Sequence, residues 1–195
     1  EALSRLETPA AVETLRSVLT SESTEVRFYA ASALSRLEER LALRLKALED
    51  DLAMARRERG VVELEMARTY FDYAYYRLAD ETRRTDFLER SSLHAQRALE
   101  EGGDASAALA AGKALLELGR CAEAEEAFSR YLELTSDDVK GLLWRAESRF
   151  RLGRYPGVRE DCARVRDLGG APKVMAGALE MWAGRAVAAQ RRTGG

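Results

Sequence analysis

Residues 105–138 read ASAALAAGKALLELGRCAEAEEAFSRYLELTSDD, and residues 139–172 read VKGLLWRAESRFRLGRYPGVREDCARVRDLGGAP. Leu118-Gly119-Arg120 of the first stretch returns as Leu152-Gly153-Arg154 of the second, which sets the two glycines 34 residues apart. In both, a helical pattern precedes the glycine and another begins two or three residues after it. A period of this size marks units that cannot bury their own apolar face and must stack on neighbours. The expected fold is therefore all-α, an α-solenoid of antiparallel helix pairs. Such an array offers a surface rather than a reaction centre.

Composition agrees. Of 195 residues, 46% are apolar and 33% charged, a globular and well-solvated balance. Only 3 prolines and 14 glycines interrupt the chain, too few for many strands and turns. A net charge of -2 supplies no global field for phosphates or an acidic membrane, so neither nucleic acid nor direct membrane insertion is expected. No run approaches the ~18 apolar residues that a membrane span needs. Two cysteines, Cys121 and Cys162, are too few for a disulfide framework and suit a reducing, cytoplasmic compartment.

Working outward, residues 8–19 open on Thr8-Pro9, an N-cap followed by proline at the first helical position. Leu15, Val18 and Leu19 mark the apolar face of this helix. A second helix starts near Glu25 and meets no glycine or proline until Gly60. Leucines at 34, 37, 41, 45, 48 and 52 form a stripe along it. The spacing predicts one continuous rod over 24–59, ended by Gly60. Its stripe reads either as a coiled-coil seam or as a face packed within the chain. The second reading is preferred because Arg44 interrupts a short stripe, and it makes the chain a monomer. Further helices are expected over 61–80, 85–101, 104–118, 122–134, 138–152, 156–168 and 171–192, with a loop at 80–84 and close-packed turns at Gly119 and Gly153.

The residues 105–138 resemble a tetratricopeptide (TPR) repeat: Gly112 stands at the small position of the first helix, Gly119 at the turn, and Ala124 and Phe128 on the second helix. Residues 139–172 agree through Ala146, Gly153 and Tyr155, while Val158 and Cys162 replace the alanine and phenylalanine. Met66-Ala67, Tyr70, Ala98 and Leu99 suggest a further repeat over 60–103, with its first helix extended by about ten residues. Upstream, Val26-Arg27 followed by Ala30, Ala33 and Leu34 resembles the second helix of a HEAT repeat. The domain reading is thus a HEAT-like pair and long connecting helix over 1–59, TPR-like repeats over 60–172, and a capping helix and tail over 173–195.

This domain order also resembles the cytosolic part of the PelE family, membrane-anchored scaffold subunits of bacterial Pel exopolysaccharide synthesis. The resemblance implies a non-catalytic scaffold at the cytoplasmic face of an inner membrane, holding a glycosyltransferase. It also implies a membrane anchor N-terminal to Glu1, since the sequence starts without methionine inside a helical pattern. Two other classes stay open: a helical-repeat nucleic-acid binder, which needs a basic lining, and a regulatory subunit that moulds an enzyme's active site.

The TPR resemblance also implies which side chains form the concave wall. Carried onto this sequence, the wall takes Leu109, Lys113 and Leu116 from one repeat and Leu143, Trp144, Glu147 and Phe150 from the next. In the aromatic run Tyr70, Phe71, Tyr73, Tyr75 and Tyr76, some rings must be core, because the five cover the whole helix circumference. Phe71 and Tyr75 are expected to face the groove. No asparagine occurs in the chain, so the lysine-asparagine set that clamps a partner's C-terminal carboxylate is missing. An apolar groove suits an amphipathic helix or extended segment; alternatively the C-terminal helix covers Leu143, Trp144 and Phe150. His94 is the only histidine and is read as a surface or half-buried residue, and both cysteines as small hydrophobes. No catalytic set, cofactor motif or metal-ligand cluster is expected.

Overall fold

The structure, a computed structural model, describes residues 9–78 and 80–170, together with Gly177, Glu180, Met181, Trp182 and Gly184. The expected cap Thr8, most of the expected helix over 171–192 and the tail over 193–195 lie outside the described residues. Among the described residues the chain forms eight α-helices and no strand: α1 (Pro9–Ser17), α2 (Thr24–Ala53), α3 (Arg59–Tyr75), α4 (Glu81–Glu100), α5 (Ala105–Glu117), α6 (Cys121–Thr135), α7 (Val139–Arg151) and α8 (Tyr155–Asp167). A short 3-10 turn, Val18–Thr20, follows α1. From α3 onward each helix packs on the next, and α5 also touches α3 and α7. Those three helices line one wall of an all-α solenoid.

The leucine stripe of α2 is buried within the chain. Leu37, Leu41, Leu45 and Leu48 join Val12 of α1 and Val62, Met66, Tyr70 and Tyr73 of α3 in one core, with Leu34 and Leu52 packed at its edge. Each buried leucine contributes about 1.5–3 kcal/mol of transfer free energy, so four in a row fix α2 against α3. On α1 the residue that enters this core is Val12; Leu15 and Val18 are half-buried and Leu19 is exposed.

The rod is shorter than its sequence suggests. It ends at Ala53 rather than 59, with Ala55 in the left-handed region at φ 48°. After Leu52 the run Ala-Met-Ala-Arg-Arg-Glu-Arg offers nothing to bury in the stripe, so continuing the helix would gain no core contact. Arg57 holds the turn instead, 2.6 Å from Glu65 and 3.7 Å from Asp51. Gly60 does not end the rod. It lies in the first turn of α3, where an added Cβ would come within 3.2 Å of the Glu101 Cβ, so its role is close approach to the end of α4.

Two more boundaries move. α3 stops at Tyr75, not 80, and Arg77 turns the chain at φ 50°. The expected loop over 80–84 is instead the start of α4, because the Asp80 carboxylate accepts a hydrogen bond from the Arg83 N–H at 2.9 Å and caps the helix. The extra length of this first pair is shared: α3 has 17 residues against 13 in α5, and α4 has 20 against 15 in α6.

The helices α5 to α8 follow the 34-residue period to within a residue of expectation. Gly119 and Gly153 take φ +77° and +72°, and the Arg120 and Arg154 N–H groups reach back to the Leu115 and Arg149 carbonyls at 2.9 and 2.8 Å. That is the left-handed helix end for which glycine is favoured. A Cβ at either glycine would meet nothing within 4 Å, so these turns are not close-packed; the requirement is conformational. Close packing occurs at Gly112, whose added Cβ would fall 2.5 Å from the Phe128 ring. One period later Ala146 and Cys162 share a buried cluster: the larger residue on α7 goes with the smaller on α8.

Candidate binding groove

A groove of about 460 Å³ opens on the wall formed by α3, α5 and α7. From α3 it takes Arg68, Phe71, Asp72 and Tyr75; from α5 Ser106, Leu109, Ala110 and Lys113; and from α7 Trp144, with Tyr76 at its margin. Helical spacing explains the set. Phe71 and Tyr75 are four residues apart on α3 and stack at 5.4 Å between centroids, 18° from parallel. Leu109 and Lys113 stand four apart on α5. The other rings of the aromatic run turn inward: Tyr70, Tyr73 and Tyr76 are buried. The Tyr73 hydroxyl donates to Glu38 on α2, and burial with that neighbouring carboxylate pushes its phenol up to about 12.

At the centre of the groove Lys113 extends its Nζ over two rings, 5.5 Å from the Trp144 centroid and 5.9 Å from the Phe71 centroid. Burial pulls the lysine below its ordinary pKa; nearby Asp72 opposes this, while Lys140 and Arg68 reinforce it. Trp144 stacks on Phe128 at 6.1 Å, and Phe128 fills the space over Gly112. The ring that lines the groove is thereby seated on the repeat's core.

Of the nine side chains expected on the concave wall, the groove brings together five: Phe71, Tyr75, Leu109, Lys113 and Trp144. Four are placed elsewhere. Leu116 is 1% exposed in the core with Leu115, Ala124 and Phe128, and Leu143 is 3% exposed with Val158, Cys162 and Val165, so neither presents its side chain to a partner. Leu116 stands three residues after Lys113 and Leu143 immediately before Trp144, and both turn toward the second helix of their pair. Phe150 packs on Tyr155 at 6.0 Å and Trp182 at 6.4 Å, and Glu147 pairs with Arg151 at 2.5 Å. Trp182 also joins the cluster that holds Leu143. Covering by the C-terminal region therefore reaches Leu143 and Phe150, while Trp144 lines the groove.

Two polar clusters carry no signal in the sequence. His94 is buried, not on the surface: its Nδ1 lies 2.6 Å from the carboxylate of Glu63, itself 1% exposed, and its ring stacks on Tyr70 at 5.4 Å. Between α7 and α8, buried Asp161 accepts from Arg145 at 2.6 Å and Arg149 at 3.0 Å. Arg149 also reaches Glu125 at 2.7 Å, and Arg154 meets the same carboxylate at 2.5 Å. This ion network clamps α6, α7 and α8. Their partners are far apart in sequence and no short spacing announces them.

Among the described residues no group of three or more histidine, cysteine, aspartate or glutamate side chains could hold a metal ion. Burial pushes the Cys162 thiol up, away from the thiolate form that nucleophilic chemistry requires. No helix among the described residues is long and apolar enough to cross a membrane.

The tetratricopeptide repeat family matches residues 76–139 and again residues 109–172, two windows that together run from the turn after α3 to just past α8. No curated protein and no solved structure matches the chain. Residues 76–172 are thus similar to tetratricopeptide repeats, and within them the helices pack as consecutive antiparallel pairs.

Proposed function

We propose that this chain is a non-catalytic scaffold whose groove between α3, α5 and α7 receives a segment of a partner protein. The observation that carries the reading is the convergence of Phe71, Tyr75, Leu109, Lys113 and Trp144 on one groove. Phe71, Tyr75 and Trp144 supply broad, stiff contact area at low entropy cost, and Lys113 fixes orientation. Support also comes from the family, because TPR repeats serve generally in protein–protein interaction. In its narrower form, which rests on domain order alone, the partner is the glycosyltransferase of a Pel-type exopolysaccharide complex, held at the cytoplasmic face of the inner membrane.

The test places a photo-crosslinking amino acid at Tyr75 or Leu109 in the groove, and at Arg159 on α8 as the control. Crosslinks to one polypeptide from the two groove positions, and none from Arg159, are expected. Titration calorimetry with a purified Pel-type glycosyltransferase tests the narrower form. There, Phe71→Ala and Trp144→Ala should each weaken binding by about 2 kcal/mol if they sit at the interface centre, with helical circular dichroism retained. Folded variants that bind like the parent would move the site away from this groove.

A further inference from the structure

We propose that the groove takes an acidic partner segment, in which a side-chain carboxylate pairs with Lys113 and a neighbouring apolar stretch lies over Tyr75. The inference deepens the docking reading above and rests on it. It begins with how cations are satisfied elsewhere in the molecule. Arg84, Arg145 and Arg149 have side chains 17–20% exposed, and each reaches a carboxylate at 2.5–2.7 Å. Lys113 is the exception. It is half-buried, yet among the described residues its ammonium has the Trp144 and Phe71 rings within reach and no ion-pair partner.

Rings replace only part of what an ammonium loses on leaving water, and they accept no conventional hydrogen bond. The charges nearby deepen the deficit. Arg68 lines the groove and Lys140 stands close enough to disfavour the lysine's charge, against the single lining carboxylate of Asp72. The site is cationic in excess and apolar in its walls. A carboxylate entering it would meet a desolvated ammonium that has three donors. A partner arginine or lysine would meet repulsion.

An adjoining cleft of about 610 Å³ shares Tyr75 and Tyr76 with the groove, but its charges are nearly balanced, Arg16, Arg77 and Arg84 against Glu13 and Glu117. Arg16 donates to the Tyr76 and Arg77 carbonyls. Arg84 pairs with Glu117, and its remaining Nε–H is buried out of a ligand's reach. Of the two cavities, the groove with Lys113 is therefore the one that offers a carboxylate a cation without an ion-pair partner.

The test uses a phage-displayed library of random 12-residue peptides, selected on the immobilised 195-residue chain. Selected peptides are then synthesised, together with their Glu/Asp→Gln/Asn counterparts, and titrated by fluorescence anisotropy. The expected result is a selected set with an acidic position beside an apolar one. Neutralising that acid should weaken binding to the parent at least 10-fold but leave binding to Lys113→Met unchanged. Peptides that need Trp144 but show no acidic preference would overturn this proposal and leave the docking reading intact. An empty selection, or peptides that bind folded Trp144→Ala like the parent, would overturn both.

Discussion

Phe128 on α6 and Trp144 on α7 stack with ring centroids 6.1 Å apart and planes 16° from parallel. Phe128 is fully buried over Gly112 of α5, while Trp144 lines the groove. One aromatic pair thus couples the interior of the first full repeat to the binding wall supplied by the next. Groove shape and repeat stability are set by the same contact, and substitutions at either end of it should be felt at the other.

Gly112→Ala should destabilise the chain by about 1–3 kcal/mol, because its Cβ would fall 2.5 Å from a ring that has no room to retreat. Urea denaturation followed by circular dichroism measures the loss. Adding Phe128→Leu should recover part of it, giving a double variant more stable than the two single costs predict. Simple additivity would show that the ring does not fill the space over Gly112.

Gly119→Val should lower stability by about 1–2 kcal/mol through the backbone alone, since a residue with a Cβ is disfavoured at φ +77° although the space around it is empty. Gly119→Asn should cost less, because asparagine tolerates this region. If the two variants unfold at the same denaturant concentration as the parent, the left-handed helix end is not what closes the pair.

The array from α5 to α8 was legible because two local signals repeat at one spacing: left-handed glycines that end helices, and small residues facing large ones. The leucine stripe of α2 was legible for the same reason, being periodic. What could not be read was set by contacts distant in sequence. The end of α2 lacks any breaker residue and depends on the stripe running out after Leu52. The start of α4 depends on Asp80 acting as a cap inside what looks like a polar loop. In the groove, wall positions spaced four apart on one helix came through, as Phe71 and Tyr75 or Leu109 and Lys113. Leu116 lies three residues after Lys113 and Leu143 one before Trp144, and at such offsets pattern reading cannot separate wall from core. The Glu63–His94 pair and the Asp161 network join residues 31 and 12–16 positions apart with no shared motif.

Acid should loosen the clamp between α6, α7 and α8 through Glu125. Burial alone would raise this carboxyl, but hydrogen bonds and charge from Arg149 and Arg154 outweigh it and hold it below the usual carboxylate range. With the folded pKa depressed, its contribution to stability is present above the unfolded value of about 4.3 and is lost as pH falls through the folded one. Glu125→Gln should therefore lower the melting temperature at pH 7, and the gap from the parent should close as pH falls toward 3. A gap that stays constant across this range would show that the charge on Glu125 is not the stabilising element.

Lys113→Met separates the stability of the groove from its function. Burial, the first cause, and the charges of Lys140 and Arg68 lower the pKa of this lysine, with Asp72 opposing. A base whose folded pKa is depressed binds its proton less well folded than unfolded, so at pH 7 the ammonium costs stability. That cost fades as pH rises through the folded pKa toward the unfolded value of about 10.4. The two ring contacts offset part of it, about 0.5–1 kcal/mol at most for such a half-exposed position. Methionine keeps the length and apolar stem of the side chain and removes the charge. The melting temperature at pH 7 should therefore hold or rise, and the difference from the parent should shrink as pH approaches 10. Binding of an acidic peptide at the groove should fall at least 10-fold in the same variant, about 1.4 kcal/mol. A stabilised protein that binds less well is what a residue retained for recognition produces. A variant that loses more than about 1 kcal/mol of stability would instead make Lys113 part of the scaffold, with the two rings as its purpose.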